Sequence, residues 1–271
     1  MMTPAELASF GITIPPTQDE LPYSDGDKME SERHKLQMEL LIDGLLPWLD
    51  QRDDGYVGGD MFVYYSMAQV KNQDFKGPDF FVALGVPKGE RKSWVCWEEE
   101  KTPDVIIELL SDSTAEKDKH EKKLIYQNRM HVPEYFWYDP FNVEDWAGFR
   151  LVGGTYQPIA LNEQGAMVSE VLGLTLIRWQ GLFKNVETTW LRWAYPDCTL
   201  LLTAEEQERQ RADQERQRAD QERQRADQER QRADQAEIQV QQIARNLLQT
   251  GMPIEQVAQI TGLAIAQVEA L

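Results

Sequence analysis

Only two cysteines, Cys96 and Cys198, occur in 271 residues. That excludes a disulfide-stapled scaffold and fits a reducing compartment. Long hydrophobic runs are missing as well. No apolar stretch approaches the roughly 18 residues of a membrane-spanning helix, so no membrane span is expected. The segment 1–16 lacks a basic start followed by a long apolar run, so no secretory signal is expected and a cytoplasmic location is. Three histidines, His34, His120 and His131, show no zinc-ligand spacing. An excess of basic residues is also absent. The chain carries 46 acids against 28 bases, a net charge of −18, and 33 of those acids and 19 of the bases precede Thr203. A broadly basic surface is therefore excluded, and any phosphate binding has to come from local cations such as Lys88–Lys92 or the run EKDKHEKK.

What is present is concentrated in Thr102–Pro140, TPDVIIELLSDSTAEKDKHEKKLIYQNRMHVPEYFWYDP. Val105, Ile106, Ile107, Leu109 and Leu110 surround one carboxylate, Glu108, in a run that reads as a strand covered on both faces. An ionised carboxylate is unfavourable there unless a cation or several donors meet it. A second segment, GPDFFVAL, again opens an apolar strand with a carboxylate, Asp79. Two carboxylates on adjacent strands can converge on one divalent cation, and oxygen ligands of this kind suit magnesium or manganese. Asp104 is the rival partner. It lies four residues from Glu108 on the same strand, about 13 Å away, which is too far for one ion to bridge easily.

Asp79, Glu108 on its strand, a lysine-bearing helix and VPEYFWYDP together resemble the Uma-type restriction endonucleases of the PD-(D/E)XK nuclease superfamily. The likeness extends over about residues 20–194 and is densest in Pro103–Pro140. One departure stands out: two positions after Glu108 is Leu110, not lysine, and the resemblance moves the lysine to the following helix, to Lys122, with Lys123 as the alternative. The resemblance implies a mixed α/β fold with a restriction-endonuclease-like sheet flanked by helices. It also implies a bacterial, Mg2+- or Mn2+-dependent endodeoxyribonuclease acting on DNA, with Asp79 and Glu108 as metal ligands and Lys122 as the positive group. His34, Lys123 and Tyr126 are supporting candidates. From the sequence, Tyr126 reads first as core packing and Asp118 as an intrahelical partner of Lys122.

The remainder of residues 20–202 reads as scaffold. Leu36, Leu40, Leu41 and Leu45 mark a helix, GYVGGDMFVYYS, GFRLVGG, TYQPIAL and LTLIRWQGLF mark strands, and SWVCWEEE marks a strand or an extended segment. Beyond Leu202 the unit ERQRADQ occurs four times between Glu208 and Gln235, introduced by a capping-box signal, Thr203 and Glu206. A long helix over 203–242 is expected. Each heptad carries a single apolar residue, an alanine, where a stable coiled coil wants two. A solvated helix or a weak, partner-dependent coil is therefore favoured. Residues 243–271 form a small helix-turn-helix-like tail in which Arg245 is the only base, so self-association or protein docking through 203–271 is expected rather than DNA reading. The acidic balance and this appendage support a second reading, a weakly active or inactive nuclease-fold protein that works as an interaction module.

Overall fold

The computed structural model of the protein describes residues 9–11, 15–23, 31–66 and 74–271. Most of the turn-rich lead at 21–31 and of the opening segment lies outside the described residues. The chain divides into two units, Met1–Gln207 and Glu208–Leu271.

In the first unit, helix α1 (Glu32–Leu49) precedes the strands β1 (Tyr56–Gly58), β2 (Val63–Tyr64), β3 (Phe75–Lys76), β4 (Phe80–Ala83), β5 (Trp94–Val95) and β6 (Val105–Leu109). A helical segment over 115–130, α2, follows. Then come β7 (Glu134–Tyr138), β8 (Trp146–Val152), β9 (Thr155–Pro158), β10 (Met167–Ser169), β11 (Leu174–Phe183) and β12 (Val186–Ala194). The central sheet has the order β1-β4-β6-β7-β8-β9, and two three-stranded sheets, β10-β11-β12 and β3-β2-β5, accompany it. The β6–β7 pair is parallel and the other pairs of the central sheet are antiparallel. This is a mixed α/β architecture.

Strand alternation explains how β6 serves two cores. Val105, Ile107 and Leu109 point to one face, where they join Leu41 and Leu45 of α1, Leu174 and Leu176 of β11, and Trp193 of β12. Ile106 points to the other face, with Phe81, Tyr126 and Tyr135. Glu108 has the parity of Ile106, so it faces α2. The expected continuous strand in GYVGGDMFVYYS is instead two, β1 and β2, in different sheets. The break falls at Gly59 and Asp60, where the backbone turns through a positive φ of 49° at Asp60. In SWVCWEEE only Trp94–Val95 is strand, and turns follow.

The long helix α3 (Ala204–Gln249) begins as the sequence indicates. Thr203 Oγ1 accepts from the Glu206 amide at 3.2 Å, and Glu206 Oε2 accepts from the Thr203 amide at 2.9 Å, which is a reciprocal capping box. Buried Arg192 on β12 donates to both Glu206 carboxylate oxygens, at 2.9 and 2.6 Å. α3 runs unbroken through 242 and 243. In the second unit, α4 (Ile254–Thr261) and α5 (Ile265–Glu269) pack Val257 and Val268 on Ala244. Gly262 ends α4 in the left-handed region, with φ 75°. Among the described residues, no helix is long and apolar enough to cross a membrane.

Candidate active site

Register brings the two carboxylates together. Phe80 pairs with Ile107 and Phe81 with Ile106 in the antiparallel β4–β6 ladder, so Asp79, one step before β4, stands opposite Glu108. Directly opposed residues on one face of such a ladder have Cβ atoms about 5 Å apart. Asp79 is fixed there because its Oδ2 accepts from the Leu109 amide at 2.6 Å.

α2 supplies the positive charge. Its turns are widened into π-helix at Lys117–Lys122 and Tyr126–Met130 around one α turn, Lys123–Ile125, a departure that recurs at functional sites. Asp118, Lys122 and Tyr126, each four residues apart, all turn to the sheet. Lys122 Nζ lies 3.0 Å from Glu108 Oε2 and 2.8 Å from Asp118 Oδ1. Tyr126 donates its hydroxyl to Glu108 Oε1 at 2.5 Å. Tyr126 is therefore more than core packing, because it holds one oxygen of the central carboxylate. Asp118 is buried, and its Oδ1 faces the Lys122 ammonium group.

Two carboxylates, Glu108 and Asp118, thus meet one ammonium group, and Asp79 stands beside Glu108. Burial raises the pKa of Glu108, and Asp118 adds to the rise while Lys122 and the Tyr126 hydroxyl oppose it. Asp79 is pushed well above the usual carboxylate range by burial first and by Glu108 second, with Lys122 opposing. Burial disfavours the charge on Lys122, but Glu108, Asp118 and Asp79 outweigh it and the net shift is upward. With all four groups ionised the cluster carries two surplus negative charges, which a divalent cation would neutralise. Among the described residues no group of three or more His, Cys, Asp or Glu side chains is placed to hold a metal. Asp79 and Glu108 are the residues that could hold a hard divalent cation such as magnesium or manganese, with water at the remaining positions.

The other residues named from the sequence fall elsewhere. Lys123 lies over the Phe149 ring, 3.3 Å from its centroid, and does not approach Glu108. Burial lowers its pKa. His34 reaches the Leu110 carbonyl through Nε2 at 2.9 Å, while its Nδ1 meets the N-cap hydroxyl of Ser31 at 2.7 Å. It braces the chain just past β6 rather than touching either carboxylate. Asp104 marks the entrance of β6, accepting from the Leu84 amide at 2.7 Å and pairing with Lys101 at 3.0 Å. Asp118 is the intrahelical partner of Lys122 that its spacing of four indicates, and it is buried as well.

Gly59 holds the Asp79 side of the site in place. A Cβ there would stand 2.4 Å from the Asp79 carbonyl oxygen and 2.8 Å from the Met38 sulfur. The first contact is with backbone, which cannot simply rotate away. Gly59→Ala is expected to destabilise the protein by about 1–3 kcal/mol, read by urea denaturation. A stability equal to the parent's would show that the loop yields freely.

Comparison with known proteins gives two family matches. A model of the Uma2 family, described as "Putative restriction endonuclease", matches residues 13–180, which include every residue of the cluster. A model of the C-terminal helix-turn-helix domain of the Rpn/YhgA-like nuclease family matches residues 239–271. A solved structure described as a "putative nuclease belonging to DUF820", from Anabaena variabilis, is similar at 15% identity and a TM-score of 0.39, over 64% of this chain and 91% of that one. No curated protein matches the chain.

Proposed function

The chain belongs to the Uma2 family, and from that premise we propose that it is a magnesium- or manganese-dependent endodeoxyribonuclease that uses Asp79, Glu108 and Lys122. The observation that carries the reading is the placement of Asp79 opposite Glu108 with Lys122 bonded to the same carboxylate. Asp79 and Glu108 would hold the cation. When bound, such an ion polarises the scissile phosphate and makes a water molecule more acidic. Lys122 offers its ammonium group to the charge that develops on phosphate oxygen. Tyr126 keeps Glu108 in one rotamer, so that its free lone pairs are aimed rather than averaged. Asp118 holds Lys122 between two acids and keeps it protonated.

DNA binding in this reading belongs to the first unit. From Ala236 onward the sequence has one base, Arg245, and three acids, Glu237, Glu255 and Glu269, so the tail has little to offer phosphates. Calorimetric titration of magnesium or manganese into the parent and into Glu108→Ala tests the site. Binding in the parent that vanishes in the variant is expected. Absence of binding in the parent would shift the reading to the catalytically silent interaction module that the acidic balance favours.

A further inference from the structure

The repeat helix has a charge pattern that a solvated helix does not require. Residues Glu208–Gln239 are exposed along α3, and no side chain of the first four heptads is buried. Take the line of Ala212, Ala219, Ala226 and Ala233 as a reference. Residues three and four away from each alanine lie on its two flanks. One flank is all acidic (Glu208, Glu215, Glu222 and Glu229), and the other is all basic (Arg209, Arg216, Arg223 and Arg230). One position further out the signs invert. Arg211 and its repeats lie beyond the glutamates, Asp213 and its repeats lie beyond the arginines, and glutamine fills the back on both sides. The helix is thus antisymmetric in charge about its alanine line.

Such a surface is complementary to itself in one orientation. When two parallel helices face each other along this line, the left flank of one meets the right flank of the other, so Glu meets Arg and Arg meets Asp at every heptad. When they run antiparallel, each flank meets its own kind. The same line continues into Val240, with Ala236 and Ile243 at the companion positions of the heptad. Ile243 is half exposed and belongs to no core cluster. The seam is therefore alanine with charged flanks for four heptads, and Val240, with Ile243 on the flank that glutamate occupies in the repeats, adds apolar surface near its C-terminal end.

We propose that α3 is a parallel, in-register homodimerisation helix, and that its partner is a second copy of this chain. Neutrality of the repeat and the thin alanine seam make the pairing weak per heptad and dependent on register. The apolar turn at Val240 and Ile243 sets that register.

The test uses the full chain. Analytical ultracentrifugation in the micromolar range should give a dimer that weakens as salt is raised. Ala212→Cys should form a disulfide-linked dimer under mild oxidation, because parallel pairing places the residue beside its own copy. Gln214→Cys on the back of the helix, and the parent with Cys96 and Cys198 alone, should not. Replacing Glu208, Glu215, Glu222 and Glu229 by Arg should weaken self-association by at least about tenfold, and so should replacing the four flank arginines by Glu. Mixing those two variants should restore a dimer. The helix is solvent-exposed throughout the repeats, and circular dichroism is to check that the variants remain folded. A monomeric parent would overturn the proposal. So would a dimer that Ala212→Cys fails to link, or a charge-reversed variant that self-associates as well as the parent.

Discussion

Glu108→Gln is expected to reduce metal-supported DNA cleavage about a thousandfold, equivalent to about 4 kcal/mol of transition-state stabilisation, with the fold intact. Glutamine keeps the volume of the side chain and can still accept from Tyr126, whose hydroxyl lies 2.5 Å from Oε1. It removes a negative charge that burial already disfavours, so thermal stability without cation should fall little or rise. Loss of cleavage with stability retained separates chemistry from unfolding. On the proposed function Asp79→Asn should act in the same direction, and the double variant should be little worse than either single one, as for two ligands of one ion. A plasmid-nicking assay with magnesium and with manganese reads the effect. Cleavage by Glu108→Gln at the parent rate would remove Glu108 from the chemistry and leave the Lys122 contact as a buried structural pair.

Much of this site could be read from the chain because its two acids interrupt apolar strands, where a carboxylate has few benign explanations. Glu108 lies among Val105, Ile106, Ile107, Leu109 and Leu110, and Asp79 directly precedes Phe80. The pairing of β4 with β6 was legible only as adjacency. Register depends on contacts between segments some thirty residues apart, and no local pattern encodes it. The family resemblance put Lys122 ahead of Lys123, but helix phase in the sequence could not decide between them. The widened turns at Lys117–Lys122 and Tyr126–Met130 shift the helix phase, and the structure turns Lys122 to the carboxylates and Lys123 onto Phe149. Tyr126 looked like packing because burial and hydrogen bonding of a tyrosine leave the same apolar signature in sequence. The broken strand between β1 and β2 was missed because Gly58 and Gly59 read as a turn at the entry of one strand, whereas Gly59 is where the chain passes close to Asp79. The long helix and its capping box were plain, since both rest on local spacing alone.

Lys122→Met is expected to destabilise the cation-free protein by about 3–5 kcal/mol at neutral pH, because it leaves Asp79, Glu108 and Asp118 buried with no counter-charge. Methionine approximates the stem of the lysine, so packing contributes little to the loss. The effect should shrink as pH is lowered. A carboxylate whose pKa is higher folded than unfolded adds stability below its unfolded pKa and loses that contribution as pH rises through the folded value. Asp79 and Glu108 are both raised, so the window opens at the ordinary carboxylate range and extends upward from it. In the parent the same two groups make the cation-free protein more stable toward mildly acidic pH, and Lys122, whose own pKa is raised, stays charged throughout that window. Removing the ammonium group should make the slope steeper, and adding Asp79→Asn and Glu108→Gln to Lys122→Met should flatten it. Guanidinium denaturation across this range reads both. The same variant should respond to a divalent cation in opposite senses by two measures. Binding should tighten, because Lys122 no longer occupies Glu108 Oε2, while on the proposed function cleavage should fall, because the ammonium group offered to the developing charge is gone. Tighter binding with lost cleavage assigns Lys122 to the chemical step, whereas loss of both would make it a support for the carboxylates and nothing more.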